Sequence, residues 1–466
     1  MIKDKDSKEL FEYVRSIDTS TIPSLKEILG SEKNEKVDIE DLLNSLHNKQ
    51  KDILLIDARS EKEFDESSIP FSFNFPVLNN SERHNTGLVY KKYSRSAALY
   101  LAMQYADPKA DTLSKFLSIN NAAGKKIYVY CWRGGGRSGY LAKMIRDLGY
   151  EPATLIGGHR SFRKYVNDFF SIKAFPFKLI ELSGLTGSGK TEMLKAVSDS
   201  IPVIDLEDAA KHYSSLLGQI PYEIKNIPSV KNQSAFENNI FAQIYFNKSG
   251  ECKSQSEECK SQSEECKSPS EECKSQSEEC KSQSDKLSFE LKIGHTPASN
   301  SQLSAHSLTQ HTQHTQHTQH SQLTYLIESE SKKVGAFEIP KILYDKMQSA
   351  PSVRIISSMD NRVKRIVNDY FGKDMKGIEP MKHKLKEKEG FFRQQLSNKV
   401  FDELIELLDR GKVHDFTEIM IKEYYDKKYK DKGKKPAAEI SSDDPVSAKE
   451  ELMSVYKKIV SEFVSP

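Results

Sequence analysis

Gly184-Leu185-Thr186-Gly187-Ser188-Gly189-Lys190-Thr191 stands between an apolar run, KLIELS, and an amphipathic one, TEMLKAV. The pattern G-x-x-x-x-G-K-[ST] in that setting calls for a strand ending in a glycine-rich turn with inward-facing amides, and a helix opening directly after it. A chain built around it is committed to an α/β unit, because a strand feeding straight into a helix returns to the sheet parallel to itself. Amides of Gly184, Gly187, Ser188 and Gly189 would cradle a di- or triphosphate, Lys190 would meet its terminal charge, and Thr191 could hold a magnesium ion. An acid ending a neighbouring strand should orient such an ion. Asp205 in PVIDLED and Glu328 in LTYLIESES are the candidates, against the plainer reading of solvated acids at strand ends.

A second junction of the same kind lies upstream. The apolar IYVY runs into Cys131, and Trp132-Arg133-Gly134-Gly135-Gly136-Arg137-Ser138 then opens an amphipathic helix that ends at Gly149. Glycines let the loop curl so that its N–H groups converge, and the helix N-terminus adds partial positive charge, which makes an anion cradle around one sulfur. With Arg133 and Arg137 beside it, Cys131 is expected to be largely thiolate at neutral pH and able to attack an electrophilic sulfur, selenium or phosphorus. An inert cysteine at a strand end is the competing reading, and it leaves three glycines and two arginines unexplained.

At about 150 residues per domain, 466 residues suggest roughly three units. Lys+Arg of 69 against Asp+Glu of 67 gives a net charge of +2, so a strongly basic nucleic-acid tail is excluded. No apolar run approaches the roughly 18 residues of a membrane span, and MIKDKDSKEL lacks the apolar core of a signal peptide. A cytoplasmic location without disulfides or membrane partners is expected. Residues 1–48 read as a helical N-terminal extension, 49–170 as a first α/β domain, and 171–248 with 323–370 as the P-loop domain. Residues 371–466 read as helical and lysine-rich with interleaved tyrosines.

Between them, 249–322 repeats ECKSQSE at period seven and then HTQ at period three, with almost no aliphatic residues to bury. A coiled coil would need two large apolar positions per heptad, so the segment reads as a disordered insertion. It carries Cys252, Cys259, Cys266, Cys273 and Cys280, leaving Cys131 alone in globular sequence. Metal binding by those cysteines, or by His311, His314, His317 and His320, is the sharper alternative, but a uniform repeat does not fix clustered geometry.

Around Cys131 the chain resembles a rhodanese domain, through IDARSEKEF (Asp57, Arg59, Glu63, Phe64), SIPFSFNFP, the cysteine loop and Gly157-Gly158. Cys followed by five residues and Arg is equally the phosphate loop of tyrosine phosphatases, and spacing does not separate the two. Tyr130 in place of their histidine, and the lack of an obvious paired general acid, argue against a phosphatase.

A rhodanese segment followed by a P-loop resembles the tRNA 2-selenouridine synthase family. Asn79-Asn80-Ser81-Glu82-Arg83 with Gly87, Tyr90-Lys91 and Ala97-Ala98 matches it, as do Gly157-Gly158 to Arg163, Asp205-Leu206-Glu207 and Phe236-Glu237-Asn238. So do Glu328-Ser329-Glu330-Ser331 with Gly335 and Pro340, and Glu423-Tyr424-Tyr425-Asp426 with Tyr429. The match covers about 50–250 and 323–435. The chain departs from it at His212-Tyr213-Ser214-Ser215, where the family reads H-R-G-S, and at Glu328, which makes Glu330-Ser331 the pair aligned with the family's E-S.

The resemblance implies a transferase that replaces sulfur by selenium in a wobble 2-thiouridine of tRNA, with selenophosphate as donor, through an S-geranylated intermediate made from geranyl diphosphate. Cys131 would carry or activate selenium, with Arg133, Arg137 and backbone donors on the selenophosphate oxygens, while the P-loop would hold the departing diphosphate. KKYKDKGKK could grip tRNA backbone, although such a run is also the ordinary reading of a solvated face. Two other classes stay open: a nucleotide-dependent P-loop kinase or ATPase with a rhodanese or phosphatase-like appendage, and a non-catalytic scaffold.

Overall fold

The computed structural model describes residues 7–29, 35–172, 177–247, 323–428 and 434–464. The insertion 249–322, residues 173–176 between the two α/β domains, Tyr429 and the middle of KKYKDKGKK lie outside the described residues.

Five strands form the first sheet: β1 (Lys36–Val37), β2 (Ile53–Asp57), β3 (Ser72–Asn74), β4 (Lys126–Tyr130) and β5 (Pro152–Leu155), in the order β1-β5-β4-β2-β3. Every pairing is parallel. Parallel strands are covered on both faces, which is why β2 and β4 are near-continuous apolar runs. Leu54, Ile56, Ile127 and Val129 point into one core, and Ile53, Leu55, Tyr128 and Tyr130 into the other.

The expected boundary at residue 49 falls inside this domain. Val37 pairs with Leu155, and the Ile39–Lys49 helix, capped by the Asp38 carboxylate accepting from the Asp41 amide, buries Leu42, Leu43 and Leu46. A strand of two residues is too short to leave a periodic signal.

The second sheet has the order β12-β11-β6-β8-β7, again parallel throughout. Its members are β6 (Lys178–Ser183), β7 (Val203–Ile204), β8 (Thr324–Glu328), β11 (Ser352–Ile356) and β12 (Ala438–Ser441); β9 (Lys333–Val334) and β10 (Phe337–Glu338) pair as a small antiparallel ribbon. The glycine-rich turn after β6 thus lies at the C-terminal edge of the central strand, where open α/β sheets bind ligands.

The region expected to be wholly helical, 371–466, returns a strand to this sheet. Val353 pairs with Ala438 through to Ile356 with Ser441, and the Pro445–Val464 helix buries Ala448, Leu452 and Ile459 in the core that holds Met193, Leu194 and Val197. Between these parts a helical cluster packs around Phe392, Phe401 and Phe416. The chain is therefore a rhodanese-like parallel-sheet domain followed by a P-loop α/β domain with a largely helical C-terminal region. None of the described helices is long and apolar enough to cross a membrane.

One helix, Gln233–Tyr245, serves both halves. Its Phe236, Ile240 and Ile244 belong to the core of the second sheet, whereas Phe241 and Tyr245 belong to that of the first. Polar contacts reinforce the joint: Arg163 pairs with Glu237 at 2.5 Å and bonds Asn238, whose Nδ2 donates to Ser67 Oγ at 2.9 Å.

Candidate functional site

Cys131 follows β4 directly and is 4% exposed, at the floor of a loop that ends in the Gly136–Asp147 helix. Its Sγ lies 3.2 Å from Ser138 Oγ in the first turn of that helix. Burial pushes the thiol up, but the Ser138 hydroxyl and the amides of Ser138, Arg133 and Gly135 outweigh it, and the net pKa falls below the ordinary value. Gly158 makes the loop possible: at φ +59° a Cβ there would stand 2.1 Å from the Cys131 carbonyl oxygen.

The two arginines of the loop are placed differently from one another. Arg137 turns its guanidinium to Glu63, with Nη1–Oε2 at 2.6 Å and Nη2–Oε1 at 3.3 Å, and Arg83 meets the same carboxylate at 3.0 Å. Arg137 is thereby a brace between the cysteine helix and the Glu61–Glu66 helix, whereas Arg133 is exposed at the rim of the loop. Hydrogen bonds, more than arginine charge, stabilise the thiolate.

In the second domain the phosphate loop is held from behind. The carbonyls of Thr186, Gly187 and Ser188 accept from Arg362 Nε (2.9 Å), Arg365 Nη1 (3.3 Å) and Ser442 Oγ (2.6 Å). A trans peptide points its N–H away from its C=O, so the amides of Gly187 and Gly189 are directed to the other side, toward a cavity of about 550 Å³ that these glycines line. Lys190 arches back over the loop, its Nζ 2.9 Å from the Gly184 carbonyl oxygen, and Ser188 Oγ is buried without a partner among the described residues.

Thr191 Oγ1 donates to Glu207 Oε2 at 3.1 Å, and the Glu207 amide donates to Glu328 Oε1 at 2.7 Å. Glu207, Glu328 and Glu330 bring their carboxylate oxygens within 4.8 Å of one another. Burial, and then the charge of Glu330, push Glu207 up to about 8; burial and then Glu207 push Glu328 well above the usual carboxylate range. Glu328 Oε2 is buried with no partner among the described residues. An all-oxygen set with one orphaned carboxylate oxygen, next to a threonine hydroxyl, fits a hard divalent cation such as magnesium.

Asp205 caps the Leu206–Ala210 helix, its carboxylate accepting from the Asp208 amide at 2.7 Å, and it also stands against Glu328 in the same buried acidic group. Glu207, which was not among the expected acids, supplies a further carboxylate to the cluster. The only trace of it in the sequence is its place at the end of Asp205-Leu206-Glu207.

Tyrosines form part of the cavity wall: Tyr213, Tyr370, Tyr424 and Tyr425. Tyr424 and Tyr425 sit on a π-helical turn, Ile421–Tyr425, and the next residue, Asp426, binds Arg362 through two bonds of 3.0 and 2.6 Å. Glu423-Tyr424-Tyr425-Asp426 therefore both shapes this wall and steadies the arginine behind the phosphate loop. The unusual His212-Tyr213-Ser214-Ser215 lies here too, with the Ser214 amide donating to Glu207 at 3.0 Å and Ser215 Oγ 3.0 Å from the Tyr370 hydroxyl.

Comparison with known proteins assigns both halves. The family profile described as tRNA 2-selenouridine synthase AAA domain matches residues 177–261 and 296–458, and that of the rhodanese-like domain matches 38–165. A tRNA 2-selenouridine synthase from Nitrosomonas eutropha is 34% identical over 169 residues, 36% of this chain and 43% of that protein. One from Bdellovibrio bacteriovorus is 34% identical over 200 residues, covering 42% and 50%. At lower identity, 24%, the match to one from a Shewanella species (strain MR-4) runs over 430 residues, 87% of this chain and 90% of that one.

Proposed function

Because this chain belongs to the tRNA 2-selenouridine synthase family, whose AAA-domain profile covers more than half of it, we propose that it is an enzyme acting on tRNA to make 2-selenouridine. The finer reading is a transferase that exchanges the sulfur of a wobble 2-thiouridine for selenium from selenophosphate, after geranyl diphosphate has alkylated that sulfur. The observation that carries it is the pairing, in one chain, of a cradled thiol of lowered pKa with a phosphate loop facing a cavity that tyrosines also line.

Alkylation joins the thiocarbonyl sulfur to the first carbon of the geranyl chain and breaks the carbon–oxygen bond to the diphosphate. The amides of Gly187 and Gly189 with Lys190 take the charge that grows on the leaving group, while the tyrosine wall suits the apolar chain. Magnesium bound by Glu207, Glu328 and Glu330 beside Thr191 would supply further positive charge there. A sulfur carrying an alkyl group then leaves more readily than a bare thiocarbonyl. Cys131 is the group that meets the selenium donor, with its loop amides and Arg133 on the phosphate oxygens.

Nucleoside analysis of tRNA incubated with the protein, selenophosphate and geranyl diphosphate tests this. Cys131→Ala should abolish 2-selenouridine and keep the geranylated nucleoside. Lys190→Ala should slow alkylation about 10- to 150-fold, the loss of one charge-assisted contact, with tRNA binding little changed. Tight ATP binding that depends on Lys190, with geranyl diphosphate binding that does not, would instead favour a nucleotide-dependent kinase or ATPase.

A further inference from the structure

Trp132 is the single tryptophan of the chain, and it stands next to Cys131 with 41% of its surface exposed. A large aromatic ring left open to water beside a reactive thiol offers a free π face to a flat ligand. Its inner face is already taken. The indole stacks on the His159 imidazole, with ring centroids 5.5 Å apart and planes 28° from parallel, and His159 in turn stacks on Tyr130 at 6.4 Å and 20°. The three rings form a pile that starts in the core, where Tyr130 is fully buried, passes through His159 at 2% exposure, and ends at the indole.

That pile is rigid. The backbone amides of His159 and Arg160 donate to the carbonyls of Cys131 and Trp132 at 2.8 and 3.0 Å, which pins the loop carrying the indole to the helix carrying the imidazole. His159 Nε2 lies 3.4 Å from Ser67 Oγ, which accepts from Asn238. Burial, and then the charges of Arg59 and Arg163, push His159 down to about 2, so the ring beneath the indole is neutral and stays in place across the working pH range. Arg133, the next residue in the chain, and Arg160, whose amide donates to the Trp132 carbonyl, are both exposed. A fixed aromatic face with exposed arginines on the two backbone segments that carry it suits an unpaired nucleobase with its phosphates, because every base has a π face and every linkage a negative charge.

We propose that Trp132 is the platform on which one unpaired base of the RNA substrate stacks, so that the base is held at the mouth of the Cys131 loop. The proposal rests on the reading of this chain as an enzyme that acts on tRNA. It adds a positioning residue, since the indole takes no part in bond making.

The indole is its own reporter, because no other tryptophan contributes to the emission. An anticodon stem-loop RNA bearing 2-thiouridine at the wobble position is titrated into the full chain, with affinity read separately from an end label on the RNA. Stacking should quench the Trp132 emission on binding. Trp132→Ala should weaken binding about 5- to 150-fold, the range for loss of one base–aromatic stack, and Trp132→Phe should recover most of that loss at an unchanged unfolding midpoint. Binding without quenching, or equal affinity in wild type and Trp132→Ala, or equal losses in the Ala and Phe variants, would overturn the platform and leave the tRNA reading standing. Failure of the wild type to bind the stem-loop at all would overturn both.

Discussion

Cys131 owes its acidity to one hydroxyl and a few amides, and the balance is fine because burial works against them. Removing the hydroxyl should tip it. In Ser138→Ala the thiolate loses a hydrogen bond worth roughly 1 to 1.5 kcal/mol, so thiol reactivity near neutral pH should fall about five- to ten-fold, read as alkylation of Cys131 by mass spectrometry. Glu207 carries the opposite shift. Its pKa in the folded chain is about 8 against an ordinary 4.5, so between those values the unfolded chain gives up a proton that the folded chain keeps. Stability from this group is complete below about 4.5 and is lost as pH rises toward 8. The unfolding midpoint should therefore drop over that interval, Glu207→Gln should flatten the drop, and millimolar magnesium should oppose it, because a cation recruits the ionised carboxylates. An unfolding midpoint with the same pH dependence in wild type and Glu207→Gln would remove Glu207 as the cause.

Among the elements, the Gln233–Tyr245 helix has a double allegiance that its sequence hides. Its apolar residues surround the axis because two sheets claim it, so no single stripe marks one buried face. Phe241 contacts Phe162, Tyr165 and Phe169 edge-on, with centroids at 5.9, 5.9 and 5.2 Å, and is fully buried. Phe241→Ala should cost roughly 3 to 5 kcal/mol in denaturant unfolding. Loss of cooperativity, with the two domains melting apart, is the expected signature, since the same helix keeps its other face on the second sheet.

Legibility followed the length of the signal. The two glycine-rich loops were readable because strand, loop and helix are contiguous, and each is stated within about twenty residues. Strands of two to four residues, such as β1 and β12, left no pattern. Arg362, Arg365 and Ser442, which hold the phosphate loop from behind, are separated from it by 176, 178 and 254 positions and carry no local mark of that duty.

At the level of the whole molecule the repeat segment 249–322 runs from just beyond one buried helix to the start of β8, both of which bury side chains in the core of the second sheet. Its composition offers almost nothing to bury against an ordering cost of roughly 1 to 2 kcal/mol per residue. Replacing it with a short Gly-Ser bridge should leave the unfolding midpoint and the nucleoside products unchanged. A fall in either, or a bound metal ion lost with the deletion, would assign it a part in the fold or the site. The edge position of β12 has a further consequence for how such a chain is made. Synthesis runs from the amino end, yet the backing of the phosphate loop, Ser442, comes more than 250 residues after the loop itself. While the ribosome is still translating, the nascent second domain must wait with its phosphate loop unsupported, and the earliest moment at which that loop has its full backing is when Ser442 has cleared the exit tunnel.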